Sequence, residues 1–303
     1  MRGRRSVGID IGGTAIKGVL MEDGKVSQKR SIPSPASSAE LLVEAVTDLV
    51  SQLEGRGRLP VGVGIASPYL HQTGEMVDPP NLALKGRYPI KKALEGVLER
   101  PVVVENDANA AAFGEWALGS GRKSRVMLCL TLGTGVGGGM VIEGELFRGA
   151  HGLAAEFGHI TVDPAGPLCG CGNRGCLEAM ASATALKRIY GQLREGGGQT
   201  AETTDPKEIF RLAKEEEPFA QRALEMVGEA LGTGLASLIN ALDPDTVVVG
   251  GGLSNAWEIL WPSAKGEMEK RLLAPKHRRV EVIPASLGTW GGAMGAACLA
   301  ART

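Results

Sequence analysis

The sequence predicts an α/β protein built from two related halves. Residues 5–32 and residues 125–149 share one plan: a strand, a glycine-rich turn, a second strand, a short turn and a third strand. Elsewhere, strand-like runs alternate with segments whose apolar residues recur every three or four positions, as in amphipathic helices. With 303 residues, the chain is long enough for two domains of about 100–200 residues each.

The first half continues past its opening strands. The turn EDGK at 22–25 predicts a hairpin. Leu42, Val46, Leu49 and Leu53 have helical spacing. In chain order we predict a helix over 39–54, a strand at 60–67, a loop through Asn81, a strand over 101–106 and a helix directly after it.

The second half is expected to be richer in helix. The run TVVVGGG at 246–252 predicts a buried strand that ends in three glycines. Around it we predict helices near 182–195, 205–215, 218–242, 255–273 and 288–301.

Composition and charge exclude several classes of protein. The net charge of −1 gives no basic surface for a nucleic acid or a membrane. No run approaches the roughly 20 apolar residues of a membrane span. The basic start MRGRRS is followed by VGIDIGG, which is too short and too polar for a signal peptide. We therefore expect a cytoplasmic protein with no nucleic-acid or membrane partner.

The two glycine-rich turns could bind phosphates. In DIGGTAIKG (10–18) and LGTGVGGG (132–139), consecutive small residues are expected to expose backbone N–H groups to an anion. Thr14 adds a hydroxyl and Lys17 a positive charge. Neither turn has the spacing of a Walker loop or a dinucleotide-binding fingerprint. Glycines often serve tight hairpins only, but two turns at matching positions favour a triphosphate held in a cleft between domains.

Asn106 and Asp107 stand where a predicted strand ends and a helix begins. Ligands of α/β sheets gather at the carboxyl ends of strands, and an aspartate there could accept a proton from a substrate hydroxyl. Both residue types are also favoured helix N-caps. The two roles are compatible if Asn106 caps the helix and Asp107 faces the substrate.

Three of the five cysteines form a compact metal-binding pattern, CGCGNRGC at 169–176. Zinc requires a fourth ligand. The candidates are the other two cysteines and His71, His151, His159 and His277. His159, on the strand-like run HITV, is ten residues before Cys169 and is favoured by spacing over the more distant His151. The other two cysteines, Cys129 and Cys298, lie in apolar contexts and are expected in the core. A zinc site here would hold Glu156 and Glu178 in place.

In this order, DIGGT with Lys17, ENDANAAA, LGTGVGGG, EFGH and CGCGNRGCLE resemble the ROK family of repressors, open reading frames and sugar kinases. The resemblance covers essentially the whole chain. It implies an actin-like, hexokinase-like (ribonuclease H-like) α/β fold of two domains, each on a mixed sheet, with an interdomain cleft. The implied domains are 1–118 plus 290–303, and 119–289.

The resemblance also implies roles for individual residues. Asp107 matches the general base. The implied metal ligands are His159, Cys169, Cys171 and Cys176. The implied sugar contacts are Asn81, Asn106, Asp107, Glu156, His159 and Glu178. The implied nucleotide contacts are Asp10, Gly12, Gly13, Thr14, Lys17, Gly133, Thr134, Gly135, Gly137, Gly250, Gly251 and Gly252.

The activity that the resemblance implies is ATP-dependent phosphorylation of D-glucose at the 6-hydroxyl, with Mg²⁺ and a structural Zn²⁺, in a homodimer or homotetramer. Alternatives are a kinase for N-acetylmannosamine, N-acetylglucosamine, mannose or fructose, or a polyphosphate-using kinase. A sugar-sensing regulator would carry a DNA-binding segment before the first glycine turn. Because DIGGT begins at residue 10, we expect no such segment.

Overall fold

The structure, a computed structural model, describes residues 5–35, 38–55, 57–79, 86–198 and 205–303. Spatial proximity groups the chain into two compact units. The first consists of Met1–Cys129, Gly139–Ala155 and Ser286–Thr303, and the second of Leu130–Gly138 and Glu156–Ala285.

The strands, in chain order, are β1 (Arg5–Ile11), β2 (Ala15–Glu22), β3 (Lys25–Pro33), β4 (Val61–Ile65), β5 (Tyr69–Leu70), β6 (Glu75–Val77), β7 (Arg87–Tyr88), β8 (Val102–Asn106), β9 (Val126–Leu132), β10 (Val136–Ile142), β11 (Glu145–Leu146), β12 (Thr246–Gly250) and β13 (Glu281–Pro284). The helices are α1 (Ala39–Glu54), α2 (Ile90–Leu98), α3 (Asp107–Ala117), α4 (Leu177–Ala181), α5 (Ala183–Gly196), α6 (Pro206–Lys214), α7 (Pro218–Leu242), α8 (Trp257–Arg271) and α9 (Gly291–Ala300). Within the described ranges, no helix combines the length and the apolar character needed to cross a bilayer.

The first sheet has the strand order β3-β2-β1-β4-β8. The predicted opening hairpins are confirmed, since β1, β2 and β3 pair antiparallel. β4 pairs parallel with β1, and this register aligns Ile65 with Ile11. β8 pairs parallel with β4, and this register aligns Asn106 with Ile65. The carboxyl ends of three neighbouring strands therefore lie side by side, and Asn106 is at that edge.

Helices cover opposite faces of this sheet. The apolar side of α1 packs against Gly18, where an added Cβ would lie 2.6 Å from Leu53 and 3.0 Å from Leu49. Gly8 and Gly62 are paired in register, and they point to the other face because side chains alternate along a strand. There α9 comes close, since a Cβ on either glycine would lie 1.9 Å from a carbonyl oxygen of α9.

The second sheet has the strand order β11-β10-β9-β12-β13. The predicted hairpin of β9 and β10 around LGTGVGGG is confirmed, as is the buried strand β12. β13 pairs parallel with β12. The helices predicted near 182–195, 205–215 and 218–242 correspond to α5, α6 and α7.

Some local predictions were wrong or incomplete. HITV was predicted as strand-like, but His159 ends a 3-10 helix over Phe157–His159, and Thr161 forms only a single bridge with Cys176. The region after β4, predicted as a loop, contains the small sheet β5-β6-β7. Neither α2 nor α4 was predicted.

Candidate active site and metal cluster

The first glycine-rich turn lies in the first unit between β1 and β2. Gly12 N donates to Ala15 O at 3.1 Å, which closes the turn, and Thr14 is exposed. Lys17 Nζ donates to the carbonyl oxygen of Thr289, 2.8 Å away, just before α9. This turn therefore presents a hydroxyl and a fixed ammonium group next to a helix start.

Asp10 lies beside the same helix start. A Cβ added to Gly292 would be 2.9 Å from a carboxylate oxygen of Asp10, so the glycine lets the carboxylate approach α9. Burial raises the pKa of Asp10 to about 6, and the positive charge of Lys17 opposes that rise. The structure thus brings Asp10, Lys17 and the turn together.

Asn106 caps α3, as the sequence predicts. Its Oδ1 accepts hydrogen bonds from Ala108 N at 3.0 Å and Asn109 N at 3.1 Å. Asp107 is the first residue of the helix, and its Oδ1 also accepts from Ala108 N, at 2.8 Å. Both side chains are half-buried at the carboxyl edge of the first sheet. That location is the one an α/β sheet offers to a ligand.

Sequence reasoning missed Glu105, the residue before this pair. Its side chain is 1% exposed. Oε2 accepts from Arg148 Nε at 2.7 Å, and Oε1 lies 3.1 Å from His71 Nε2 and 3.0 Å from Asn109 Nδ2. The only available signal was a charged residue inside the apolar run VVVEN.

The charge of Glu105 is balanced by its partners. Burial alone would raise the pKa of Glu105, but the hydrogen bond from His71 and the positive charge of Arg148 outweigh burial, so the pKa lies below its usual value. Glu105 is therefore an ionised, buried group that links three segments of the first unit at the strand end before Asp107.

The three clustered cysteines and His159 come together in the second unit. The ligand atoms of His159, Cys169, Cys171 and Cys176 all lie within 4.8 Å of one another. His159 Nδ1 is 3.8 Å from Cys169 Sγ, and the sulfurs of Cys171 and Cys176 are 3.6 Å apart. One imidazole and three thiols are a donor set that suits tetrahedral Zn²⁺.

The glycines of the cysteine loop make this geometry possible. Gly172 and Gly175 have φ angles of 93° and 64°, a region that favours glycine. A Cβ on Gly175 would also lie 1.5 Å from Asp163 O. Cys169 N donates to Asn173 O at 2.7 Å, so the loop is tied within itself.

Two further predicted sugar contacts lie next to the cluster. Glu156 is exposed and directly precedes the 3-10 helix that carries His159. Desolvation raises the pKa of Glu156, His159 opposes the rise, and the negative charge of Glu178 adds to it. Glu178 belongs to the first turn of α4, and Cys176 is the N-cap of that helix. Asn81 lies outside the described residues.

The second glycine-rich turn and the triple glycine also lie in the second unit. Gly133 N donates to Gly135 O at 2.9 Å within the turn. Gly251 has a φ of 88°. A Cβ there would be 2.3 Å from the carbonyl oxygen of Leu132, the first residue of LGTGVGGG. The two predicted nucleotide-binding segments of this unit are therefore adjacent.

Known proteins are similar to this chain in sequence and in fold. The chain is 38% identical over 309 residues to a glucokinase of Streptomyces coelicolor, covering 97% of each. The structure superposes on a ROK family glucokinase from Streptomyces griseus, solved with glucose and AMPPNP, with a TM-score of 0.86 and 34% identity over 99% of this chain and 100% of that one. For a ROK hexokinase from Thermus thermophilus, the TM-score is 0.82 and the sequence identity is 36%, over 97% of this chain and 96% of that one.

These similarities confirm the mixed α/β, actin-like fold predicted from the sequence. The family model described as ROK family matches residues 6–303. The chain belongs to the ROK family.

Proposed function

We propose that the protein is a sugar kinase that transfers the γ-phosphoryl group of ATP to the 6-hydroxyl of D-glucose. The observation that carries the proposal is the position of Asp107, a half-buried carboxylate at the carboxyl edge of the first sheet. Near the end of β1, a strand of the same sheet, lie Asp10 and the first glycine-rich turn. The similarity to glucokinases over nearly the whole chain supports the same activity.

In the proposed reaction, Asp107 accepts the proton of the sugar 6-hydroxyl as that oxygen bonds to the γ-phosphorus. The bond from the γ-phosphorus to the bridging oxygen breaks, and ADP leaves. N–H groups of the two glycine-rich turns and the Lys17 ammonium stabilise the charge on the phosphoryl oxygens. Mg²⁺ enters as part of the nucleotide substrate. Most of the rate enhancement comes from positioning and electrostatics.

The sugar hydroxyls are proposed to contact Asn81, Asn106, Glu156, His159 and Glu178. His159 can serve both the metal and the sugar, because its Nδ1 faces Cys169. The other ring nitrogen is then a donor for a hydroxyl. A sugar that lacks a matching hydroxyl would leave such polar groups unpaired, which is costly.

We propose that the cluster of His159, Cys169, Cys171 and Cys176 holds a structural Zn²⁺. Four protein ligands leave no open position for a substrate, so the ion would supply folding stability and no chemistry. The homo-oligomeric state and the cytoplasmic location stay predictions.

The proposal is tested by a panel of acceptors and donors. Purified protein is assayed with glucose, mannose, fructose, N-acetylglucosamine and N-acetylmannosamine, each with ATP and with polyphosphate. Formation of ADP and phosphosugar is measured. We expect the highest kcat/KM for glucose with ATP. A tenfold preference for another sugar, or for polyphosphate, would replace the proposal with the corresponding alternative kinase.

A further inference from the structure

A short segment of the second unit, residues 177–184, contacts the second glycine-rich turn at three points. We call it the α4–α5 segment, since it contains α4 and the start of α5. Glu178 Oε2 accepts from Val136 N at 3.0 Å. Ala183 N donates to Gly133 O at 2.8 Å, and Thr184 Oγ1 donates to Thr134 O at 2.8 Å.

The contact with Glu178 depends on glycine in the turn. A Cβ added to Gly135 would lie 2.2 Å from Glu178 Oε2. The 3-10 helix that ends at His159 approaches the turn equally closely, because a Cβ on Gly158 would lie 2.0 Å from Val136 O. Real Cβ atoms do not come that near, so glycines are what allow both segments to contact the turn backbone.

The other end of the α4–α5 segment is attached to the cysteine cluster. Cys176 is both a cluster member and the N-cap of α4. Leu177 N donates to Ile160 O at 2.9 Å, next to His159. Cys169 Sγ lies 3.6 Å from Glu178 Oε1. One carboxylate therefore contacts a cluster sulfur with one oxygen and the turn with the other.

We propose that the α4–α5 segment couples the metal cluster to the turn that binds the donor phosphates, with Glu178 and Thr184 as positioning residues. This inference rests on the proposed function, in which Gly133–Gly137 contact the nucleotide. It assigns Glu178 a second role besides the sugar contact, and it assigns a role to Thr184, which no motif singled out. Coupling between two sites is reciprocal. We propose that the metal strengthens nucleotide binding, and nucleotide binding must then stabilise the bound metal by the same factor.

The experiment compares the wild type with T184V, which is isosteric but cannot donate to Thr134 O, and with T184S, which keeps the hydroxyl. Affinity for AMPPNP with Mg²⁺ is measured calorimetrically without sugar. We expect T184V to weaken AMPPNP binding about fivefold, the effect of one lost hydrogen bond. T184S should restore the affinity, and the KM for glucose should be unchanged in both variants. The matched control is T233V, since Thr233 Oγ1 donates to Glu229 O within α7.

A second measurement follows release of Zn²⁺ to a chromogenic chelator, with and without AMPPNP. We expect the nucleotide to slow release several-fold in the wild type and T233V, and less in T184V. The coupling is refuted if AMPPNP binds to the wild type but leaves the release rate unchanged, or if T184V binds AMPPNP with wild-type affinity. A wild type that binds no AMPPNP would instead overturn the proposed function itself.

Discussion

Asn106 and Asp107 are neighbours with different positions at the start of α3. The amide oxygen of Asn106 accepts hydrogen bonds from two backbone N–H groups of the helix, and the half-buried carboxylate of Asp107 accepts from one of the same groups, Ala108 N. Asn106 is the N-cap of α3, and Asp107 is the first residue of that helix. We propose Asp107 as the general base of the pair because a carboxylate can take up a proton and an amide cannot.

Replacing Asp107 by Asn should remove the base but keep the shape of the side chain. We expect D107N to bind glucose normally by calorimetry and to lose about 10²–10⁴-fold in kcat, the range typical of general-base catalysis. D205N is the control, since Asp205 also accepts a backbone N–H at a helix start, α6. A purified D107N with near-normal kcat would show that another group takes the proton.

Glu105 should matter for stability more than an exposed ion-pair carboxylate does. In E105Q, Arg148 and His71 lose their negative partner inside the protein, so we expect the free energy of unfolding to fall by about 2–4 kcal/mol. In E143Q, Arg125 loses its partner in an exposed ion pair. The Arg125 and Glu143 side chains are 78% and 60% accessible. That variant should change by about 0.5 kcal/mol or less. Equal urea midpoints for both variants would contradict the buried-pair assignment.

Asp10 should make stability fall as the pH rises. Its pKa is about 6 in the folded protein and about 3.9 in an unfolded chain. The folded state therefore binds the Asp10 proton more tightly than the unfolded chain does. The resulting contribution to the free energy of unfolding is complete below about pH 4 and is lost by about pH 6. D10N has no such loss. We expect D10N to gain about 1–3 kcal/mol over the wild type between pH 4 and pH 7, measured by urea unfolding at each pH. A pH-independent difference between the two would show that Asp10 is not buried as an acid.

The hairpins at the two glycine-rich turns and the clustering of the cysteines could be predicted because short-range spacing determines both local geometries. CGCGNRGC brings its sulfurs together within one loop, so no knowledge of the fold was needed. Glu105 was different. Its role depends on Arg148 and His71, which are distant in sequence, and no local pattern indicates that pairing.

At the scale of elements, hairpins and long periodic helices were predictable, since turn residues and apolar spacing act locally. HITV was mispredicted because β-branched residues suggest a strand, whereas His159 ends a 3-10 helix in which its N–H donates to Glu156 O at 3.0 Å. The strands β5 and β7 have two residues each, too few for any alternation to be visible.

The packing of α9 on the first sheet gives a prediction at this scale. A Cβ at Gly62 would lie 1.9 Å from Ala296 O, a backbone atom that cannot yield without moving the helix. We expect G62A to lower the free energy of unfolding by about 2–4 kcal/mol. Gly96 lies in α2 with no heavy atom within 4 Å of an added Cβ, so G96A should gain about 0.5–1 kcal/mol. Thermal unfolding of both variants measures the contrast, and a G62A as stable as G96A would contradict the close packing.

At the scale of the whole molecule, the compact units are built from segments that are far apart in sequence. Ser286–Thr303 belongs with the first unit, and β9 and β10 each contain residues of both units. Local patterns cannot reveal such grouping, because it follows from which faces bury each other. Only the resemblance of the sequence to a known family predicted that the C-terminal segment groups with the first domain.

The proposed Zn²⁺ should stabilise the chain against unfolding, because its four ligands would tie together residues 159–176. Cys171 is the exposed member of the cluster, so C171S removes a thiolate without opening a cavity. We expect C171S to lose its bound zinc, to melt roughly 5–10 °C lower and to show a raised KM for glucose. G170A is the matched control in the same loop, since an added Cβ at Gly170 meets no atom within 4 Å. Metal content, melting temperature and KM are measured on both variants. If C171S kept one zinc per chain and the wild-type melting temperature, the cysteines would not be the ligands that hold this region together.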